Sequence, residues 1–368
     1  MSDRAPTAES TRMFSEAASA SDAVRAQLAN DTQQIDALGE VIRRLAPRAV
    51  ITCARGSSDH AATYAKYLIE TRARVLTSSA APSTSSVYGI DQDLRHCLFI
   101  AISQSGRSPD LLASVAAAKA SGAQVLSICN TPDSPLVAAS DHSIALRAGA
   151  ETSVAATKSF LATLAALARL VAAWTADEAL QTALRELPAL MDQAWHLDWT
   201  PALALLESAE HLYVLGRGLG LGAAQEIALK CKETCGLHAE AFSSAEVRHG
   251  PFTLLGPRFP AFLLGQNDAT RAGVEELASE LASLNVPILI AGANAAMGRR
   301  AGSPATVASG ARVPDSGSAR ILPTIDCRAE LGPILLVQSA YRLIASLSLR
   351  RGFDPDRPAN LTKVTETL

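Results

Sequence analysis

The sequence predicts an α/β protein in which one domain occurs twice. Near-continuous apolar runs that end abruptly in small or polar residues are typical of parallel strands covered on both faces by helices. Such runs occupy residues 49–54, 98–102, 212–216 and 260–264. Three pairs of segments share one offset of 162 residues (218 − 56, 266 − 104 and 287 − 125): Gly56 and Gly218, Gln104 and Gln266, and residues 125–128 and 287–290. Three registers that agree on one offset indicate a duplicated domain.

The composition is that of a chain with a large buried core. Of the 368 residues, 48% are hydrophobic and 19% are charged, whereas disorder requires low hydrophobicity and high net charge. Lys and Arg number 33 and Asp and Glu number 36, which gives a net charge of −3. This balance disfavours nucleic acid and anionic membrane surfaces as partners.

No segment is typical of membrane insertion or secretion. The most apolar stretch, residues 160–174, is 15 residues long and contains Arg169, whereas a membrane span needs about 20 residues largely free of charge. It predicts a buried helix instead. The first residues lack an apolar segment before a cleavage site, so we expect a cytoplasmic protein. The cysteines are spread thinly, which predicts reduced thiols: Cys53, Cys97, Cys129, Cys231, Cys235 and Cys327.

The expected organisation has four parts. Residues 1–30 form an N-terminal helical segment, residues 31–192 the first domain, residues 193–350 the second domain and residues 351–368 a polar tail. A helical stretch over residues 159–190 closes the first domain, and a helix over residues 335–349 closes the second. Residues 297–322 are rich in Gly, Ser, Ala and Pro, which predicts a loop with one short strand. A tail of this composition is ordinarily frayed.

Hydroxyl groups cluster at the end of the strand over residues 98–102. Ser103, Gln104 and Ser105 follow this strand, and Ser108 precedes Pro109 as the N-cap of a helix, so backbone N–H groups point toward the hydroxyls. Ser57 and Ser58 have the same placement after the neighbouring strand. The pattern predicts an anion site, and the alternative is a pair of serine-capped turns.

A second candidate site lies on the predicted helix over residues 222–235. Glu226, Lys230 and Glu233 are spaced i, i+4 and i+7, which places them on one face. An apolar stripe of Ala223, Ile227, Cys231 and Cys235 lies on another face. On this helix alone, a solvated charged face is the better interpretation.

Three other kinds of site have weaker support. Cys231, Cys235 and His238 lack a fourth metal ligand, so core cysteines are favoured over a metal centre. Residues 218–223 fit a dinucleotide-binding G-x-G-x-x-A pattern with Glu240 about 20 residues on, but residues 236–241 lack the β-branched run of a second strand. There is no G-x-S-x-G nucleophile elbow.

His249, before a Gly-Pro break, can titrate near neutral pH, although a lone histidine of this kind is more often structural.

Together the segments resemble the sugar isomerase (SIS) domain family. Within it, they are similar to the isomerase half of glutamine:fructose-6-phosphate aminotransferase and to stand-alone SIS-type glucosamine-6-phosphate deaminases. Five ordered motifs carry the resemblance: residues 103–106 (SQSG), 154–158 (VAATK), 238–241 (HAEA), 246–251 (EVRHGP) and 360–365 (NLTKVT). It implies two tandem SIS domains with a flavodoxin-like, doubly wound order and a C-terminal tail over the active site.

The resemblance implies a role for each matching residue. The positions that would hold the sugar phosphate or the substrate are Ser57, Ser58, Ser103, Gln104, Ser105, Ser108, Val154 and Thr362. Glu233 would move the proton between C1 and C2, and His249 would open the sugar ring. Lys363 would lie beside the sugar carbonyl, where the aminotransferase forms a Schiff base, and Lys230 would lie near the open-chain hydroxyls.

Two departures from the aminotransferase shape the functional expectation. Only about a dozen residues precede the resemblance, so we expect no glutamine-hydrolysing domain, and release of ammonia becomes the favoured direction. Arg107 and Ala156 stand where an acidic residue and a hydroxyl are expected, which leaves the substrate open. The leading hypothesis is a glucosamine-6-phosphate deaminase that needs no metal or organic cofactor.

Two alternatives remain at this point. A fructosamine-6-phosphate deglycase or another ketose/aldose phosphate isomerase would use the same proton transfer. A non-catalytic sugar-phosphate sensor would need none of Glu233, His249 and Lys363, although all three are present. The resemblance also implies a homodimer in which His249 reaches the partner's site.

Overall fold

The computed structural model describes residues 6–90, 92–292 and 319–363, and it divides the chain into two compact units. The first unit comprises Ser19–Ala189 with Asn360–Leu368, and the second comprises Met1–Ala18 with Leu190–Ala359. Each unit contains one five-stranded sheet, and every strand pair in both sheets is parallel. The predicted α/β class, with parallel sheets between helices, is confirmed.

The elements follow one another in this order up to the end of the first unit's sheet: α1 (Arg12–Ala18), α2 (Ala20–Asn30), α3 (Thr32–Leu45), β1 (Ala49–Cys53), α4 (Ser57–Arg72), β2 (Thr77–Ser79), α5 (Pro82–Ser86), β3 (Cys97–Ser103), α6 (Pro109–Ala120), β4 (Gln124–Cys129), α7 (Pro135–Ala139) and β5 (His142–Ala145). The order continues with α8 (Lys158–Thr175), α9 (Glu178–Trp195), α10 (Leu203–Leu206), β6 (His211–Gly216), α11 (Gly220–Cys235), β7 (His238–Ser243), β8 (Ala261–Leu264), α12 (Arg271–Ser283), β9 (Ile288–Ala291), β10 (Ala319–Leu322) and α13 (Gly332–Arg350). Short 3₁₀ turns lie at Ala8–Ser10, Thr200–Ala202, Glu246–Arg248 and Pro251–Leu254.

The two sheets have the same topology. The strand order is β2-β1-β3-β4-β5 in the first and β10-β9-β8-β6-β7 in the second, which is the flavodoxin-like order read from opposite edges. Adding 162 to Ala49, the start of β1, gives His211, the start of β6. The duplication inferred from the sequence is therefore present in the fold.

The predicted buried helix over residues 160–174 is confirmed, although the longer helical stretch is not continuous. All residues from Lys158 to Trp174 are buried, and α8 ends where Ala176 takes a left-handed conformation (φ 54°). A new helix, α9, then begins at Glu178. Close packing of α3 on α8 depends on Gly39, because a Cβ there would lie 2.6 Å from the Ala173 carbonyl carbon.

The core of the second unit is built on α13, which packs against α11. The predicted helix over residues 335–349 is confirmed within its bounds, Gly332–Arg350. Among the described residues this is the one helix whose length and apolar composition would allow it to cross a membrane, and 78% of its apolar stretch is buried in the protein. That burial is typical of a core helix.

One strand contradicts the sequence-based expectation. Residues 236–241 were not expected to form a strand, yet β7 runs from His238 to Ser243 and pairs in parallel with all of β6. It is an edge strand, so its small residues need no second strand partner. Glu240 lies in the middle of β7, three residues before its end, rather than at the carboxyl end that a ribose-binding carboxylate occupies.

Part of the predicted loop and of the polar tail can be compared with the structure. The expected short strand within residues 297–322 corresponds to β10, and residues 297–318 lie outside the described residues. The early tail is not frayed, because the Arg351 guanidinium donates to the carbonyls of Cys235, Leu206 and Ala209. The carboxylate of Asp356 accepts from the backbone N–H groups at the start of α1. Hydrogen bonds to backbone hold the polar segment in place.

Candidate active-site elements

The predicted anion-binding residues lie at one edge of the first unit's sheet. β1 and β3 are neighbours with Cys53 opposite Ala101, so the loops that follow them leave the same edge. Ser57 and Ser58 begin α4 after the first loop, and the residues from Ser103 to Ser108 form the second loop. This is the edge at which doubly wound α/β folds bind ligands.

An ion pair joins these two loops. Arg55, which precedes Gly56 in the β1–α4 loop, places Nε and Nη2 each 2.8 Å from Oδ2 of Asp110 in the first turn of α6. Asp110 is buried and its other oxygen accepts from the backbone N–H of Leu111. The pair fixes the spacing of the two serine-bearing loops. No local sequence pattern reveals this pair, because residues 55 and 110 are 55 positions apart along the chain.

The turn at the end of β3 requires glycine. The backbone N–H of Gly106 donates to the hydroxyl of Ser103 at 3.0 Å, and Gly106 has a φ of +65°. A Cβ on Gly106 would lie 2.3 Å from the hydroxyl oxygen of Ser134. Ser108 is the N-cap of α6 as predicted. Its side chain makes no capping hydrogen bond to the first turn of the helix.

The end of the tail is held by a buried glutamate. Lys363 Nζ donates to the Ser153 carbonyl at 2.7 Å and lies 3.2 Å from a carboxylate oxygen of Glu151. The Glu151 carboxylate also accepts from the backbone N–H groups of Thr157 and Ser159 at the start of α8. Lys363 therefore lies beside the segment that contains Val154, and Thr362 is its neighbour in the chain. Val364 and Thr365, the end of the tail motif, lie outside the described residues.

The charged face of α11 is buried rather than solvated. Lys230 is 1% exposed and Glu226 is fully buried, and their charged atoms lie 3.5 Å apart. Lys230 also donates to Glu233, whose side chain is 21% exposed. The hydroxyl of Tyr341, on α13, donates to Glu226 at 2.8 Å. A carboxylate at the surface of the unit is thus backed by a buried ammonium, itself backed by a second carboxylate.

His249 lies on a different element from this cluster. It caps the 3₁₀ turn Glu246–Arg248, its backbone N–H donates to the Glu246 carbonyl, and its side chain is exposed. Gly250, with a φ of 130°, then turns the chain into the next 3₁₀ turn. Exposure leaves the imidazole accessible to a ligand or to another chain.

The cysteines of α11 are core residues. Burial raises the pKa of Cys231 well above its ordinary value and raises that of Cys235 to about 11, so both remain protonated thiols at neutral pH. In the part of the chain that the structure describes, no group of three or more His, Cys, Asp or Glu side chains is placed to hold a metal ion.

Comparison with known proteins identifies the family. The SIS domain model matches residues 46–173 and 205–298, which together cover more than half of the chain. The chain belongs to the SIS domain family.

Individual relatives align with most of this chain. Glutamine--fructose-6-phosphate aminotransferase from Legionella pneumophila (strain Lens) is 32% identical over 320 residues, which are 85% of this chain and 50% of the relative. The chain thus spans about half the length of the curated relatives it matches. A structure from Silicibacter pomeroyi, provisionally assigned as a phosphosugar isomerase, is 35% identical with a TM-score of 0.84 over 94% of this chain and 100% of that one. The C-terminal domain of the aminotransferase from Francisella tularensis is 26% identical with a TM-score of 0.82, over 94% of this chain and 98% of that one.

Four residues hold the candidate site elements in place, and the sequence assigns no functional role to any of them: Arg55, Glu151, Glu226 and Tyr341. Glu226 was visible as part of the charged face of α11, and its spacing from Lys230 was the available signal. Lys363 is 212 positions from Glu151 and Tyr341 is 115 positions from Glu226, so no local pattern could reveal these two contacts.

Proposed function

We propose that the chain is a SIS-type glucosamine-6-phosphate deaminase, which converts glucosamine 6-phosphate and water to fructose 6-phosphate and ammonia. The observation that carries this proposal is the arrangement on α11, where partly exposed Glu233 is held by the buried Lys230 ammonium. A carboxylate that can take a proton and return it is the group that aldose–ketose chemistry needs. Neither a metal nor an organic cofactor is required.

The phosphate is assigned to the loops of the first unit. Ser57 and Ser58 and the loop from Ser103 to Ser108 surround the first turns of α4 and α6, where backbone N–H groups and the helix dipoles favour an anion. Within the loop, the assigned ligands are Ser103, Gln104, Ser105 and Ser108. The Ser108 hydroxyl makes no capping hydrogen bond to α6, which supports this assignment.

The chemical steps follow from the remaining groups. His249 moves the proton that opens the sugar ring and exposes an aldehyde at C1 and an amine at C2. Glu233 removes the C2 proton, O1 takes a proton from solvent, and the resulting enaminol is reprotonated at C1 by the same carboxylic acid. The product is the C2 iminium of fructose 6-phosphate. Water adds to C2 and ammonia leaves, which balances the reaction.

The other assigned residues position the substrate. Lys230 keeps Glu233 in place and is assigned to the open-chain hydroxyls, and Val154 and Thr362 are assigned to substrate contacts. Lys363 is assigned to the sugar carbonyl, and its hydrogen bond to the Ser153 carbonyl supports an ordered tail at that position. Arg107 and Ala156 stand where the aminotransferase has an acidic residue and a hydroxyl, and these two differences leave the exact sugar phosphate open.

The test is release of ammonia and fructose 6-phosphate from glucosamine 6-phosphate by the purified chain, with no glutamine added. Equal amounts of the two products support the deaminase. Glu233→Gln should lower kcat by about 10²–10⁴-fold, because general acid–base catalysis contributes that much. Glu240→Gln, an exposed carboxylate on β7, is the matched control and should leave turnover unchanged.

Other outcomes of this assay favour the alternatives. Turnover of a 6-phosphorylated fructosamine, or aldose–ketose interconversion without ammonia, would assign a deglycase or an isomerase to the same residues. Binding of the sugar phosphate without any turnover, in the parent and in Glu233→Gln alike, would indicate a sensor.

We further propose that the active species is a cytoplasmic homodimer in which His249 serves the partner's site. The exposed position of the His249 side chain supports this assignment. Mixing Glu233→Gln chains with His249→Ala chains should restore activity in the mixed dimers, because one of their two sites is then intact. No recovery of activity would argue against a shared site.

A further inference from the structure

We propose a second small-molecule site in the second unit, which takes a phosphorylated polyol of hexose size and is separate from the loops assigned to the substrate phosphate. It does not depend on the proposed deaminase activity. The site is a cavity of about 240 Å³ at the carboxyl ends of β8 and β9, where Gln266 and Gly292 follow the two strands.

The position of the cavity follows from the duplication. Gln266 is the counterpart of Gln104 at the offset of 162 residues (266 − 104), so the cavity occupies the same edge of its sheet as the loop from Ser103 to Ser108. The serines are not repeated, since Gly265 and Asn267 stand where Ser103 and Ser105 do. The second edge therefore keeps the geometry of a ligand site but offers a different set of groups.

Gln266 is the group that points to a ligand. Its side chain is 2% exposed and lines the cavity, and neither its amide nitrogen nor its amide oxygen has a hydrogen-bond partner in the described structure. A buried amide without partners costs free energy, so natural proteins place one where water or a ligand supplies them. Because an amide both donates and accepts, it suits the hydroxyl groups of a sugar.

Two glycines make room for this amide. Gly220 is the first residue of α11 and Gly332 the first residue of α13. A Cβ on Gly220 would lie 2.9 Å from the Gln266 nitrogen, and a Cβ on Gly332 would lie 2.9 Å from its oxygen. The N-terminal ends of two long helices therefore converge on the side chain, and both favour an anion nearby.

The charged groups around the cavity complete the assignment. Arg271 and Arg328 both line it with about a third of each side chain exposed, and each also pairs with a carboxylate, Glu275 and Glu330 respectively. Asp326 lines the cavity as well and accepts from the Asn267 amide at 3.4 Å. Two guanidinium groups in the lining favour a phosphate there. The volume of the cavity lies below the range of drug-sized pockets, which is about 300–1,000 Å³. The ligand is therefore limited to a small metabolite.

The experiment is calorimetric titration of the full chain with fructose 6-phosphate. It uses the Glu233→Gln variant, in which any reaction that depends on Glu233 is slowed by about 10²–10⁴-fold. We expect two binding events per chain. Gln266→Leu, which keeps the volume but removes the amide, and Arg271→Gln should each weaken one event tenfold or more and change the other less than twofold. Ser105→Ala should show the converse, and Arg258→Gln, outside the cavity, should change neither.

Three results would overturn the second site. One is a single binding event per chain that Ser105→Ala weakens and that Gln266→Leu and Arg271→Gln leave unchanged, and another is two events that Gln266→Leu and Arg271→Gln both leave unchanged. The third is a crystal soaked with fructose 6-phosphate in which only ordered water meets Gln266. Gln266→Leu should keep the parent's thermal midpoint or raise it, so loss of binding would not reflect unfolding. Failure of the deaminase assay would leave all of these outcomes readable, since none depends on turnover.

Discussion

Arg55 and Asp110 join two loops of the first unit through two nitrogens of one guanidinium, each 2.8 Å from a single carboxylate oxygen. Asp110 is 1% exposed and Arg55 is 57% exposed, so the pair places a buried anion under a partly solvated cation. The residues proposed to hold the phosphate lie on the loops and helix starts on either side of this pair.

The first prediction concerns this ion pair. Arg55→Gln should weaken the affinity for fructose 6-phosphate by about tenfold, since the loops lose a charge-assisted link and the anion loses a nearby cation. The cost in the free energy of unfolding should be only about 1 kcal/mol, because Arg55 is more than half exposed. Arg95→Gln, which breaks the exposed pair with Asp93, is the matched control. Equal affinities of the two variants, measured by titration, would contradict the positioning role.

The second prediction concerns the glycine turn after β3. Gly106 and Gly149 have nearly the same left-handed backbone, with φ values of 65° and 66°. An alanine at either position is strained by about 1–2 kcal/mol, but only at Gly106 does the new Cβ collide with a neighbour, the Ser134 hydroxyl. We expect Gly106→Ala to cost about 1–3 kcal/mol more than Gly149→Ala in urea unfolding and to weaken phosphate binding as well. If both variants bound fructose 6-phosphate with equal affinity, the loop would not be the phosphate site.

The third prediction concerns the buried charges on α11. Tyr341→Phe removes the hydrogen bond to the Glu226 carboxylate and should lower the free energy of unfolding by about 1.5–3 kcal/mol, as for bonds to charged groups. Glu226→Gln should cost about 1.5–3 kcal/mol, because the buried Lys230 ammonium loses one charged contact while it keeps the Glu233 carboxylate as its partner. Tyr88→Phe, on a side chain that is 74% exposed, should cost nothing measurable. Costs below 0.5 kcal/mol for both Tyr341→Phe and Glu226→Gln would show that the cluster is hydrated.

The fourth prediction concerns the thiols. Burial raises the pKa of Cys53 and Cys235 to about 11 and that of Cys327 to about 12. At pH 8 the thiolate fraction of these folded cysteines is then about 0.1% or less. In the unfolded chain, where the cysteine pKa is about 8.5, the thiolate fraction is much larger. Alkylation of the native chain at pH 8 should therefore be slow at these positions, and all six cysteines should react after unfolding in urea.

The same shifts set the alkaline limit of stability. Because the folded pKa lies above the unfolded one, the unfolded chain releases these protons first as the pH rises. The stabilisation is fully present below about pH 8.5 and is lost progressively toward pH 11 and above. Rapid labelling of Cys53 or Cys235 in the native chain at pH 8 would contradict their burial.

The sequence by itself determined the class of fold and the duplication. Both depend on local patterns, since apolar runs and the turns after them are written in consecutive residues, and a repeat is visible as an offset. Ser108 as an N-cap and the buried helix α8 were predictable for the same reason. The loop from Ser103 to Ser108, which is proposed to hold the phosphate, was recognisable because its turn and the helix start after it are encoded within six residues.

Tertiary structure decided what distant segments do to each other. The pattern of α11 favoured a solvated face, but packing against α13 buried Lys230 and supplied Tyr341 as a partner for Glu226. β7 has weak strand propensity and becomes a strand because β6 offers it a complete parallel register. Lys363 is ordered because its ammonium donates a hydrogen bond to the carboxylate of Glu151, 212 positions away. Burial and long-range hydrogen bonds depend on which elements meet in the folded chain, and no local pattern contains that information.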